Sequence, residues 1–252
     1  MPDRLRLLCI TAHPDDESGG FGGSLLLYRR RGVDTYVICM TPGQAATHRG
    51  GYESDAELAA VRRKEFAAAC KLLQVTEGEV LDFPDGGLDR VDLYPAVGEL
   101  VKRIRHLRPH VVITFGPEGA LTGHPDHSMV SIFATMAYHW AGRSNRYTEQ
   151  LSNGLKPHRA QKLYYTTATF SLPDRQPVSL SPPTTIIKID EYLETKIQAF
   201  KTHTTQSPLF PRFENNVRLR GGFEMFHLAA SVRPGPIPAE NDLLTGVVGN
   251  QE

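Results

Sequence analysis

The sequence predicts an α/β protein, Rossmann-like, with three α/β/α layers and a mostly parallel central sheet. Three observations carry this expectation. Short apolar, β-branched runs alternate with stretches of helical periodicity. The apolar runs are too short for buried helices. A polar or glycine-rich segment follows nearly every run, as happens where ligands gather at the carboxyl ends of parallel strands.

The elements follow in order. LRLLCIT (5–11) is a compact apolar strand. GGSLLLYRRRG (22–32) reads as a helix, with arginines in the last turn answering the helix dipole and Gly32 as the stop. VDTYVICMT (33–41) is a second strand. Leu58, Val61, Phe66, Ala69, Cys70 and Leu73 have the spacing of a helix over 56–73, and EVLDF (79–83) is a short strand. Leu93, Val97, Leu100, Val101, Ile104 and Leu107 mark another amphipathic helix. PHVVITFG (109–116) is a fourth strand, a helix is expected over 126–140, and KLYYTTA (162–168) is a fifth strand. Residues 142–159 and 171–185 read as surface loops, and 189–203 as a helix. Residues 1–233 are expected to form one domain. The tail 234–252 begins with PGPIP and holds few large apolar residues, so it is expected to be flexible or packed on a neighbouring subunit.

Bulk properties exclude several functions. Lys+Arg and Asp+Glu number 28 each, so no global field favours nucleic acid or an anionic membrane. No run approaches the ~20 apolar residues of a membrane span, and the N-terminus lacks the apolar core of a signal peptide. Cys9, Cys39 and Cys70 form no CxxC pair and sit in apolar elements, which fits a reducing, cytoplasmic setting. The GGFGG run lacks G-x-G-x-x-G spacing after the first strand and reads as close helix packing, not a phosphate cradle. No GxSxG nucleophile elbow is present.

One phrase recurs. HPDD starts at His13 and HPDH at His124, each after a predicted buried strand. Proline stiffens the chain after each histidine. Three residues on stands a second donor, Asp16 or His127. Two histidines and a carboxylate make a three-ligand site with an open position, the pattern of catalytic zinc and also of iron(II). His13, Asp16 and His127 are therefore the expected ligands, with Asp15 and His124 beside them and uncommitted. The bland alternatives are first-turn acids answering a helix dipole and hydrogen-bonded core histidines.

These residues resemble the LmbE/PIG-L family of metal-dependent N-acetylglucosamine deacetylases. AHPDDE and HPDH are the specific part. TPGQAATHRGG, LAAVRRKEFAAACKLLQV, FPDGGL and KIQAFKTHTTQ extend the likeness over about residues 6 to 206. The chain departs from the family at Gln44, where glutamate is usual, at His48, and in a longer loop before Arg49. The resemblance implies amide hydrolysis by metal-activated water on an N-acetylated amino sugar. Zinc is the implied cofactor, with Fe2+ or another divalent metal as alternatives, and a homo-oligomer is implied as well. Asp15 is then the general base, His124 in its cationic form the oxyanion stabiliser, and Asp126 the group that orients a histidine. Arg49 is expected to hold an anionic group, Asp85 to accept from sugar hydroxyls, and His203 to reach the substrate. Competing readings are a thiol-conjugate amidase of the same family, a non-haem iron oxygenase, and a non-catalytic sugar-binding protein.

Overall fold

The computed structural model describes residues 4–172, 177–220, 222–233, 235–236 and 239–249. β1 (Arg6–Thr11) leads through α1 (Asp16–Arg30) to β2 (Asp34–Cys39), and α2 (Asp55–Leu72) leads on to β3 (Glu77–Val80). The chain then returns through α3 (Leu93–Leu107) to β4 (Val111–Thr114), on the other side of β1. α4 (Pro125–Ala141), α5 (Thr148–Ser152), β5 (Lys162–Thr167), β6 (Thr185–Lys188), α6 (Leu193–Lys201), α7 (Phe210–Leu219) and β7 (Phe223–Ser231) complete it. The seven-stranded sheet has the order β3-β2-β1-β4-β5-β7-β6. β1 to β5 are parallel to their neighbours among themselves, whereas β7 runs antiparallel to both β5 and β6.

β1 is central, and Leu7, Leu8, Cys9 and Ile10 are all 0% exposed. A strand covered on both faces needs an unbroken apolar run, which is what LRLLCIT supplies. α3 packs on α4, while α1 and α2 pack on α6, so helices cover the sheet in two separate groups. Strand order reverses between β1 and β4. That is the topological switch point, where a crevice opens beyond the carboxyl ends of the strands. HPDD follows β1 and HPDH follows β4, so the fold itself brings the two phrases together. Among the described residues, no helix is long and apolar enough to cross a membrane.

Several expectations need correction. α1 starts at Asp16, not at residue 22, so the glycine run lies inside the helix. There a Cβ on Gly23 would stand 2.4 Å from Ile189, the close packing that the run was expected to provide. The predicted strand at 79–83 is shifted to Glu77–Val80. The helix expected over 189–203 is confined to Leu193–Lys201, after a short 3-10 turn. The segment 171–185 was read as loop, yet Thr185 opens β6; its residues 173–176 lie outside the described residues. β7 and α7 were not foreseen. β7 buries Glu224, Phe226 and Leu228 on one side and sets Phe223, Met225 and His227 on the other, so its polarity does not alternate.

The tail was expected to be flexible or packed on a neighbour. Residues 234, 237–238 and 250–252 of it lie outside the described residues, but 239–249 lie against this same chain. Leu243 is fully buried, Tyr28 donates to Asp242, and Lys162 pairs with Glu240 at 2.8 Å.

Candidate metal centre

The repeated phrase does not fold twice the same way. In HPDH, His124 is the N-cap of α4, its Nδ1 accepting from the Asp126 N–H, and Pro125 fills the first helical position. In HPDD the cap is Asp15, with φ 120° and ψ −26°, a backbone region side chains rarely occupy. Glu17 holds it there by accepting from the Asp15 N–H at 3.0 Å.

Each expected histidine ligand has one nitrogen engaged by protein. His13 Nε2 lies 3.2 Å from Asp126 and 3.0 Å from Asp85. His127 Nδ1 lies 3.3 Å from the Thr122 hydroxyl, and its ring stacks on Phe115 with centroids 4.0 Å apart. The other nitrogens converge on one carboxylate. His127 Nε2 is 3.2 Å from Asp16 Oδ1, and His13 Nδ1 is 3.5 Å from Asp16 Oδ2. A carboxylate behind a histidine that points its other nitrogen inward is the usual support for a metal ligand.

The charges have the same tendency. Burial works against a charged Asp16, but His127 and His13 prevail and hold its carboxyl well below the usual range. Burial likewise opposes a cationic His13, yet hydrogen bonds to Asp126, Asp16 and Asp85 push it well above the ordinary histidine value. Carboxylates crowded this closely call for positive charge, and a divalent cation meets that need without a proton. Among the described residues, two trios offer donor atoms within 4.8 Å of one another: His13, His124 and His127, and His13, Asp85 and Asp126. The second uses the His13 nitrogen already engaged by carboxylates. Asp16 approaches both His13 and His127 but is a member of neither trio. The donor set fits a divalent ion.

Asp15 stands beside this donor set. Burial, chiefly, raises its carboxyl to about 6 against the opposing pull of Arg62. Arg62 Nη2 meets it at 3.1 Å and also donates to the Pro14 carbonyl, while Nη1 donates to Gly43 O. Gly43 has φ +70°, and a Cβ there would run into that guanidinium at 2.2 Å. The sequence reading missed Arg62. Its signal was a charge at the i+4 position between Leu58 and Phe66, on the core stripe of α2.

The other expected site residues have partners of their own, at the centre or away from it. His124 was expected as a cation, but burial, then His13 and His127, push it below the ordinary histidine range. With Nδ1 accepting, a neutral His124 carries its proton on Nε2 and is already a donor. Asp126 is 1% exposed and accepts from Gly86 N and Leu88 N as well as His13. Asp85, expected at sugar hydroxyls, divides its oxygens between His13 and the Ala45 N–H. Arg49, expected to clamp an anion, instead ties its own loop together through the carbonyls of Gln44, Tyr52 and Glu53 and the Asp55 carboxylate. His203, expected at the substrate, is 0% exposed and pairs with Glu17 at 2.7 Å beneath Asp15. Glu17 is thus a second missed support, hidden among what read as first-turn acids.

The sequence profile of PIG-L, GlcNAc-PI de-N-acetylase, matches residues 8–138, more than half of the chain. The chain belongs to the PIG-L family. It is 31% identical to a 1D-myo-inositol 2-acetamido-2-deoxy-alpha-D-glucopyranoside deacetylase of Catenulispora acidiphila, over 88% of each chain. It is 33% identical to a mycothiol S-conjugate amidase of Streptomyces coelicolor, over 66% of this chain and 61% of that one. Among solved structures, the N,N'-diacetylchitobiose deacetylase of Pyrococcus horikoshii superposes with a TM-score of 0.77 at 25% identity, covering 90% of this chain and 84% of the other. The PIG-L match includes both HPD phrases and the helix that carries Arg62.

Proposed function

We propose that this chain is a cytoplasmic, zinc-dependent deacetylase that removes the acetyl group from an N-acetylglucosamine-type amino sugar or its conjugate. One observation carries the reading: the free nitrogens of His13 and His127 meet on Asp16, with the raised carboxyl of Asp15 alongside. The family relatives that hydrolyse amides of amino sugars support it. Two imidazoles and one carboxylate suit zinc with an open position, and iron(II) accepts the same set. The three free cysteines are all buried, in keeping with a reducing compartment.

His13, Asp16 and His127 would hold a divalent ion, which would supply Lewis acidity to the acyl carbonyl and to water. Asp15 accepts the proton of the attacking water as the O–C bond forms. The Nε2–H of His124 donates to the developing oxyanion, in neutral form, without waiting for a proton. Asp15 then returns the proton to the amine nitrogen as the C–N bond breaks, releasing acetate and free amine. Arg62 and Glu17 keep Asp15 aimed, and Asp126 and Asp85 keep His13 turned.

The test is amine release from N-acetylglucosamine, its disaccharide and its inositol conjugate. Chelation should abolish release, and added zinc should restore it. Metal-loaded protein that releases no amine from any amide in the panel overturns the reading. A second reading, an amidase acting on a thiol conjugate, draws on the Streptomyces relative; preferential cleavage of a mycothiol S-conjugate added to the panel would select it.

A further inference from the structure

The cavity of about 620 Å3 beside the proposed centre takes Asp15, Asp16 and His127 into its lining, but neither Glu17 nor His203. Those two side chains are 0% exposed and stand behind Asp15. For packing alone the pair is a poor choice. Glu17 is a buried carboxylate next in sequence to two others, Asp15 and Asp16. The Nδ1 of His203 is buried and has no hydrogen-bond partner among the described residues. That costs free energy which an apolar side chain in the same place would not.

What the imidazole does make is one bond, from Nε2 to Glu17 Oε1 at 2.7 Å. The Ser18 hydroxyl donates to that same oxygen, and the Asp15 N–H donates to Glu17 Oε2 at 3.0 Å. Glu17 is the acceptor throughout, so His203 is a donor. This chain of bonds ends on the backbone nitrogen of Asp15, whose φ of 120° needs its surroundings to hold it. The turn after His203 is itself anchored. Thr204 Oγ1, Thr205 N and Thr205 Oγ1 donate to the Glu65 carboxylate at 2.7 to 2.8 Å. Glu65 lies on α2, three residues after Arg62, which holds the Asp15 carboxylate. One turn is therefore bonded to both elements that hold Asp15: the start of α1 through Glu17, and α2 through Glu65.

We infer that His203 is a positioning residue for the base: through Glu17 it fixes the backbone of Asp15, and with it the direction of the Asp15 carboxylate, without touching substrate or metal. The kinetic consequence of this role rests on the amide-hydrolase reading above; the structural link does not.

The experiment compares His203→Gln with His203→Asn, both well below their unfolding midpoints so that folded protein is compared with folded protein. Glutamine carries its NH2 to where Nε2 stands. Asparagine, one carbon shorter, stops near the position of Nδ1 and leaves Glu17 without this donor. On the amide substrates above, His203→Asn should lose about 10–100-fold in kcat with KM changed less than about twofold, because a displaced base slows the step without weakening binding. His203→Gln should recover kcat to within about threefold of the unsubstituted protein. Metal content by atomic emission should be the same in all three. In metal-free protein, hydrogen exchange of the Asp15 amide, followed by NMR, should be about tenfold or more faster in His203→Asn than in His203→Gln. Equal kcat in the two variants, or equal protection of the Asp15 amide, would overturn the inference. Loss of metal from His203→Asn would overturn it too, since His203 would then support the ligand Asp16 and not the base. If the unsubstituted protein releases no amine from any substrate, the hydrolase reading fails, and amide exchange alone decides whether His203 holds the Asp15 backbone.

Discussion

Asp15 combines an awkward backbone with an awkward charge. Its φ of 120° costs on the order of 1–3 kcal/mol, and its carboxyl is raised to about 6 by burial. Neither feature serves packing. Both suit the general base that the proposed mechanism asks of Asp15. Asp15→Asn preserves shape, tolerates positive φ and can still accept from Arg62, but it cannot take a proton. Metal content by atomic emission should therefore be unchanged, while kcat falls by about 10²–10⁴. Full activity in Asp15→Asn would remove Asp15 from the mechanism. Arg62 is the complementary case. Arg62→Met leaves the carbonyls of Pro14 and Gly43 and the carboxylate of Asp15 without their donor. Urea unfolding should show a loss of about 3 kcal/mol, the cost of stranding one member of a buried ion pair. If the loss stayed near zero, the guanidinium would be dispensable and some other group would hold Asp15.

At the level of elements, the sheet does not hold itself together around the centre; β7 and α6 do part of that work. Glu224 projects from β7 to the Gly23 and Ser24 N–H groups of α1 and to Lys196 of α6, so one side chain joins three elements behind the cavity. Glu224→Met strands the buried ammonium of Lys196 and should destabilise by about 3–5 kcal/mol. The Lys196→Met/Glu224→Met double variant removes both charges and should be less destabilised than Glu224→Met alone. A double variant destabilised by the full sum of the singles would show that the two charges act separately, not as a unit. The same elements mark how far the sequence could be read. β1, β2, β4 and β5 were legible because parallel strands buried on both faces are continuous apolar runs, whereas β3, EGEV and half exposed, was placed two residues late. The two HPD phrases were legible because their spacing is tied to strand ends at a switch point. β7 was not, because a buried glutamate breaks its alternation, and its partners, Lys196 and the Gly23 and Ser24 N–H groups, lie far away in the sequence. Asp85, Arg49 and His203 were placed by residue type and by family resemblance, and neither reveals which hydrogen bonds a side chain has already made.

On the scale of the whole molecule, the chain closes on itself: Tyr28 of α1, Lys162 of β5 and Thr185 of β6 meet residues 240–243. At another joint, His158 is 4% exposed and its Nε2 donates to the Pro109 carbonyl at 2.7 Å, fastening the segment before β5 to the approach of β4. Burial depresses this histidine to about 4, the Pro109 carbonyl pulls modestly the other way, and Arg108, His110 and Arg6 lower it further. The unfolded chain, with an ordinary value near 6.5, therefore binds a proton that the folded chain refuses. Stability from this group is fully present above pH ~6.5 and is lost as pH falls through the window from ~6.5 to ~4. Integrated over that window the loss is on the order of 3 kcal/mol. His158→Gln keeps an N–H donor for Pro109 and has nothing to titrate. Urea unfolding at pH 7.5 and pH 4.5 should show the wild-type protein losing more stability than His158→Gln by roughly 2–3 kcal/mol. Parallel curves for the two proteins would mean that the buried histidine is not what makes this fold acid-sensitive.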